Sequence, residues 1–102
     1  MQKQSKVRLK GKVLSKLNDD IHERDGHTCI IDGCGRYILP GEKFHHEPCG
    51  SNKQDRIERG CLICSDHHYV RHHGRVGLED IKQQCIDYLS NLYPDDWRRG
   101  VC

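Results

Sequence analysis

The sequence predicts a small α+β domain that depends on a bound metal ion for its stability. Only 34% of the 102 residues are hydrophobic and 31% are charged, so the chain can build only a thin core. Seven cysteines and eight histidines are available to hold such a core together. Short apolar runs alternate with segments of helical periodicity, which indicates a mixed fold. The length predicts one domain.

The start of the chain, MQKQSKVRLKGKV, lacks the apolar core of a secretory signal peptide, and no stretch approaches the length of a membrane span. We therefore expect a cytoplasmic protein that does not contact a membrane. In a reducing compartment, cysteines are more often metal ligands than disulfides. The odd number of cysteines also argues against a disulfide-stabilised secreted protein.

The beginning of the chain is strongly basic, although the net charge of the whole chain is only +2. Residues 1–16 carry six lysines or arginines and no acidic residue. Residues 1–12 are predicted to form a basic, flexible arm, which either contacts nucleic-acid phosphates or is an ordinary solvated terminus. Residues 13–102 are predicted to form the single domain.

Periodicity and turn-forming residues divide this domain into elements. Leu14, Leu17 and Ile21 have helical spacing, which predicts a helix from about residue 13 to residue 24. Residues 27–50 are rich in glycine and cysteine and predict tight knuckles with a short hairpin.

The second half of the domain contains one predicted strand and two predicted helices. The strand covers residues 59–64, RGCLIC. Ser65 or Asp66 is expected to cap a helix that runs through the histidine-rich segment towards His73. Apolar residues at helical spacing predict an amphipathic helix over about residues 78–92, which packs against the domain.

Two pairs of ligands have the spacing of a structural zinc site. Cys29 and Cys34 are separated by four residues around an Asp-Gly turn, and Cys64 and His67 form the second pair. A closed tetrahedral Cys3His site would contribute on the order of 10 kcal/mol to folding. A rival pairing would use Cys61 with Cys64. We prefer His67, because Cys61 lies within an apolar strand and is interpreted as a core residue.

The histidines form a second candidate group. His68 and His72 are four residues apart on a predicted helix, so they share one face at chelating distance. His67 lies about 100° away round the helix and faces the zinc pair instead. His45 and His46 point to opposite sides if their segment is extended. Each histidine alone is more often a surface or structural residue, but the combination favours a second metal site.

Three segments, RDGHTCIIDGCG (24–35), FHHEP (44–48) and LICSDHH (62–68), follow one another in a specific order. They resemble the HNH endonucleases of the ββα-metal (His-Me finger) class, especially the small phage and prophage members. The resemblance centres on residues 24–75. It implies a small zinc-stapled, treble-clef-like ββα-metal domain with flanking N- and C-terminal helices. It also implies a metal-dependent endonuclease that hydrolyses DNA phosphodiester bonds in a bacterial or phage-infected cell.

The resemblance implies a role for each matching residue. His46 matches the general base, while His45 and His68 match ligands of the catalytic metal. His72 corresponds to a further helical histidine and a third ligand. One position departs from the pattern: Arg59 occupies the place of the central asparagine. In the family that asparagine helps to orient the catalytic loop. Either Arg59 or a neighbouring group takes over this role, or activity is weakened.

The remaining expectations concern phosphate contacts and the catalytic ion. Arg71, Arg75 and Lys53 are candidate phosphate clamps, with an ordinary solvated surface as the alternative for each. The catalytic ion is expected to be Mg²⁺, Mn²⁺, Ni²⁺ or Zn²⁺. Magnesium prefers oxygen ligands, so an imidazole-rich site favours the transition metals.

A zinc-knuckle DNA-binding module without catalysis is the alternative function, and Arg59 favours it. DNA is the expected partner in both cases. No base-reading element is recognisable, so low sequence specificity is expected. Phage packaging or recombination proteins are compatible partners, and the sequence leaves the biological role and the oligomeric state open.

Overall fold

The structure is a computed structural model that describes residues 8–50 and 53–98. Four helices and a two-stranded sheet in this part of the chain form a small α+β domain. In chain order the elements are α1 (Gly11–Arg24), β1 (His45–His46), a 3-10 helix (Ile57–Arg59), β2 (Gly60–Cys61), α2 (Ser65–His73), α3 (Leu78–Leu92) and α4 (Pro94–Arg98). None of the described helices is long and apolar enough to cross a membrane.

The predicted helices are present, with two differences in detail. α3 covers the predicted range, and α1 ends at Arg24 as expected. The prediction that Ser65 or Asp66 caps α2 is wrong, because Cys64 is the N-cap and Ser65 already lies in the helix. The short helix α4 was not predicted, since five residues are too few to show a helical period.

The predicted strand over residues 59–64 is shorter than expected, and only Gly60–Cys61 pairs as β2. It runs antiparallel to β1, with His45 opposite Cys61 and His46 opposite Gly60. A side chain at position 60 would overlap the ring of Phe44, so glycine is required where this short sheet packs on α1. The pairing places the two adjacent histidines at the centre of the domain.

The predicted basic arm over residues 1–12 is attached to the domain wherever the structure describes it. The Arg8 guanidinium and the main-chain N–H of Leu9 both donate hydrogen bonds to the Asp55 carboxylate, at 3.1 and 2.7 Å. The last two residues of the predicted arm belong to α1. Residues 1–7 lie outside the described part of the chain, so their predicted flexibility stays a prediction.

Asp25, immediately after α1, connects three elements through one buried carboxylate. It accepts hydrogen bonds from the main-chain N–H of Leu62, at 2.9 Å, and from the hydroxyl of Tyr88 on α3. It also pairs with Arg24 at 2.7 Å. Burial and the hydrogen bond to Asp25 together raise the pKa of Tyr88 well above its ordinary value. The phenol therefore remains a donor at physiological pH.

Arg24 extends this network to the 3-10 helix and to β2. Its guanidinium donates hydrogen bonds to the carbonyls of Ile57 and Gly60, both at 2.6 Å. The Arg24 side chain is mostly buried and only 14% exposed. The Arg24–Asp25 pair thus joins α1, β2 and α3 in a domain with a thin apolar core.

We expect Asp25→Ala to lower the free energy of unfolding by about 3–5 kcal/mol, because it leaves the mostly buried Arg24 charge without its partner. Asp20→Ala is the matched control, since it removes an exposed pair with Lys16, worth about 1 kcal/mol or less. Urea denaturation of the metal-loaded proteins measures both changes. Equal effects of the two substitutions would contradict a central role for the Arg24–Asp25 pair.

Candidate metal centres

Four cysteine and histidine side chains form the first group that could hold a metal ion. Its members are Cys29, Cys34, Cys64 and His67, and their ligand atoms all lie within 4.8 Å of one another. His67 Nδ1 is 3.4 Å from Cys29 Sγ and 3.3 Å from Cys64 Sγ. The Cys34 and Cys64 sulfurs are 3.9 Å apart. Tetrahedral zinc, with Zn–S of about 2.3 Å, requires sulfur separations of about 3.8 Å, so the group has a suitable size.

Local backbone structure brings these four residues together. Gly33 and Gly35, with φ of 78° and 60°, turn the chain tightly on either side of Cys34. Cys64 and His67 lie at the N-terminal end of α2. His67 lies in this group with Cys29, Cys34 and Cys64, whereas Cys61 is fully buried and contacts the thiol of Cys85.

The thiols of this group differ in acidity. Burial raises the pKa of Cys29 to about 12, whereas the main-chain N–H of Arg36 lowers the pKa of Cys34. A metal bound here requires thiolates, so binding must release the Cys29 proton. Occupancy is therefore expected to fall as the pH is lowered.

Three histidines form the second group. His45, His68 and His72 have ligand nitrogens within 4.8 Å of one another, and Nε2 of His68 lies 3.0 Å from Nε2 of His72. Two nitrogens at right angles, each about 2.1 Å from an ion, are separated by about 3 Å. His45 is buried, while His68 and His72 are exposed. The group therefore offers three ligands and leaves one side open.

The protonation state of these histidines also suits metal binding. Partial burial, reinforced by the neighbouring His45 and His72, lowers the pKa of His68 to about 4. Burial similarly lowers the pKa of His72. Both imidazoles are consequently neutral at physiological pH, as metal ligation requires.

A buried carboxylate orients His45 towards the other two histidines. His45 Nε2 contacts Glu47 at 2.9 Å, while its Nδ1 is buried without a hydrogen-bond partner among the described residues. If Nε2 carries the proton that is donated to Glu47, Nδ1 presents its lone pair to the group. A carboxylate behind a ligand histidine is the usual way to set ring orientation in metal sites. A bound metal ion would provide a partner for the buried Nδ1 of His45.

Arg71 supports Glu47, which corrects the prediction that Arg71 clamps phosphate. Its guanidinium donates two hydrogen bonds to the Glu47 carboxylate, at 3.1 and 2.8 Å, and is only 10% exposed. Burial alone would raise the pKa of Glu47, but the bonds from His45 and Arg71 hold it below its ordinary value. Arg71 neutralises this buried carboxylate and is not available to a phosphate.

His46 has a carboxylate partner of its own. Its Nε2 lies 2.7 Å from Asp55, and its side chain is 20% exposed. Burial lowers the pKa of His46, and the hydrogen bond to Asp55 offsets only part of this effect. Asp55 itself is ionised: its bonds to His46, Leu9 and Arg8 lower its pKa despite burial. A proton on Nε2, shared with Asp55, leaves the lone pair of His46 on Nδ1.

Sequence reasoning missed both Glu47 and Asp55 as partners of the histidines. Glu47 lies inside the matched FHHEP segment, two residues after His45, so its position was a usable signal. Asp55 lies in a polar loop nine residues after His46 and carried no such signal.

Arg59 does not occupy the role that the sequence suggested. Its buried guanidinium pairs with Asp96 at 2.9 Å and lies 4.0 Å from the centre of the Trp97 ring. Its main-chain carbonyl accepts the N–H of Glu47 at 3.0 Å. The prediction that the Arg59 side chain replaces the motif asparagine is not supported, and Asp55 is the group that contacts His46.

The histidines open on a cavity of about 580 Å³ between α1 and the loop around β1. His45, His46, His68 and His72 all line it. Lys53 lines it as well, and its contact with phosphate stays a prediction. Arg75 is exposed in the turn beyond α2.

Comparisons of this chain with protein-family models, curated proteins and solved structures find no match. The observations that bear on function are therefore the residues and geometry of these two groups.

We expect Cys64→Ser to remove one bound metal ion per chain and to lower the free energy of unfolding by several kcal/mol. Cys49→Ser is the control, because Cys49 is partly exposed and lies outside the four-residue group. Metal analysis after dialysis against zinc, followed by thermal unfolding, measures both effects. Equal metal content in the two variants would disprove the assignment of Cys64.

We expect Glu47→Gln to weaken binding of Mn²⁺ or Ni²⁺ to the histidine group by about 10- to 100-fold, because His45 loses its charged partner. Glu79→Gln, at an exposed position in the first turn of α3, should leave the affinity unchanged. Calorimetric titration of proteins already loaded at the cysteine group gives the two dissociation constants. An unaltered affinity in Glu47→Gln would show that the carboxylate does not support the ligand.

Proposed function

We propose that this protein is a metal-dependent DNA endonuclease of the HNH type, with His46 as the general base. The observation that carries this proposal is the arrangement around one cavity. A histidine held by a buried carboxylate lies next to a three-histidine group that could bind a metal, and both face the same open space. The resemblance of the FHHEP and LICSDHH segments to this family supports it.

His46 is suited to remove a proton from water. It is neutral at physiological pH, because burial lowers its pKa. With Nε2 bonded to Asp55, the basic lone pair is on Nδ1, which is the arrangement a positioned general base requires. Asp55 also stabilises the imidazolium that forms when His46 accepts the proton. Asp55 thereby positions the proposed base.

His45, His68 and His72 would hold the catalytic ion. When bound, a divalent ion neutralises charge on the phosphate and on the leaving oxygen. Glu47 fixes the orientation of His45, so the ligand set is preorganised before substrate arrives. The imidazole-rich set suits Mn²⁺, Ni²⁺, Co²⁺ or Zn²⁺ better than Mg²⁺.

Cys29, Cys34, Cys64 and His67 would hold a structural zinc ion, since three thiolates with one imidazole form a closed tetrahedral set. This ion would stabilise the start of α2, from which His68 and His72 project. Lys53 and Arg75 would contact phosphates of bound DNA. The thiolate-rich site is consistent with a reducing compartment such as a cytoplasm.

A plasmid cleavage assay tests the proposal. Protein is stripped of metal, reloaded with zinc and assayed with added Mg²⁺, Mn²⁺, Ni²⁺ or Co²⁺. We expect nicking by the native chain and at least a 100-fold loss in His46→Ala, with metal content and DNA affinity preserved. Asp55→Asn should retain partial activity, and Asp20→Asn, at the exposed control position, should retain full activity.

The outcomes distinguish the available functions. Activity with transition metals at or above the level with Mg²⁺ supports direct ligation by three imidazoles, whereas strict Mg²⁺ dependence contradicts it. If the native chain binds DNA but cuts it with none of these ions, the protein is a DNA-binding module and the nuclease proposal is wrong.

A further inference from the structure

α2 carries two pairs of aromatic rings, each with i, i+4 spacing. His68 and His72 form the first pair and belong to the three-histidine group. Tyr69 and His73 form the second pair, about 100° further round the helix. The ring centres of Tyr69 and His73 are 5.0 Å apart, and those of His72 and His73 are 6.2 Å apart. Neighbouring aromatic rings therefore extend along α2 from the candidate catalytic group to Tyr69.

Tyr69 is the outermost ring of this series and is 66% exposed. By contrast, Tyr88, Tyr93 and Trp97 pack against the core. One exposed tyrosine is common on any protein surface. The informative feature is its position, because Tyr69 is backed by a second ring and lies one helical position from a metal-ligand pair.

We propose that Tyr69 and His73 form a stacking platform for an unpaired nucleobase adjacent to the scissile phosphodiester. The proposal rests on the nuclease function and names its substrate class: DNA that is single-stranded at the cut site, including flaps and bubbles. Aromatic side chains bind unpaired bases of any sequence, because every base has a π-face. Bases within a duplex are stacked on their neighbours and cannot cover the Tyr69 ring.

The position of the platform agrees with the path of a single strand. Phosphates would pass the histidine group, where Lys53 lines the cavity, and Arg75 is exposed beyond the C-terminal end of α2. Tyr69 and His73 are both exposed on α2, and each directly follows a histidine that lines the cavity, His68 and His72. One nucleotide next to the cut could thus place its base on Tyr69 while its phosphate remains at the histidines.

The test compares Tyr69→Ala and Tyr69→Phe with Tyr37→Ala. Tyr37 is a matched control, since it is 59% exposed, has a histidine ring 6.2 Å away and lies outside α2. Fluorescence anisotropy measures binding of one oligonucleotide as a single strand and as a duplex. The His46→Ala background is used so that the DNA stays intact.

We expect Tyr69→Ala to weaken single-strand binding by about 5- to 100-fold and to change duplex binding less than about twofold. Tyr69→Phe should bind as the parent does, because the ring is retained. His73→Ala should show a smaller loss than Tyr69→Ala. Tyr37→Ala should have no effect on either form of DNA.

Cleavage assays in the native background separate this inference from the nuclease proposal. If the native chain cuts no DNA but single-strand binding depends on Tyr69, the platform stands and the catalytic assignment fails. If the native chain cuts DNA but Tyr69→Ala binds and cuts like Tyr37→Ala, the platform is overturned. Equal losses on both forms of DNA, or no single-strand binding by the parent, also overturn it.

Discussion

Burying a carboxylate is costly unless a partner compensates its charge, and this constraint organises the domain. Within the described chain, three carboxylates are buried and each pairs with an arginine. The pairs are Arg24–Asp25, Arg71–Glu47 and Arg8–Asp55. The first joins α1, β2 and α3, whereas the other two carboxylates contact the adjacent histidines of β1. Stability and the preparation of the site therefore depend on the same kind of interaction.

The two histidines of β1 are oriented by the same kind of contact. Each directs Nε2 at a buried carboxylate, so that each has Nδ1 available for other chemistry. His45 belongs to the group with His68 and His72, whereas His46 belongs to none of the possible metal groups among the described residues. Both side chains nevertheless line the same cavity, together with His68 and His72.

α2 links the two candidate metal groups. Its N-terminal end contributes Cys64 and His67 to the first group, and the next residue, His68, begins the second. A metal at the cysteine group would therefore determine where the histidines of the second group lie. The position of α2 is therefore shared by both groups of possible metal ligands.

Much of the site was predictable from the sequence alone, because local spacing decides it. Loop and helix geometry bring Cys29 to Cys34, Cys64 to His67 and His68 to His72, and each pair lies within five residues of the chain. The α+β class and the ranges of α1 and α3 also follow from local periodicity.

Tertiary structure alone decided how the charged side chains are used. Arg71 and Arg59 were interpreted as site residues, yet Arg71 neutralises Glu47 and the Arg59 side chain packs against α4. Asp55 carried no signal, although it holds the candidate base. The physical reason is that a long charged side chain can reach many partners, and its choice depends on which carboxylates folding buries. Residue spacing in the sequence does not predict which partner such a side chain chooses. It does predict pairs of ligands that a single turn of the chain brings together.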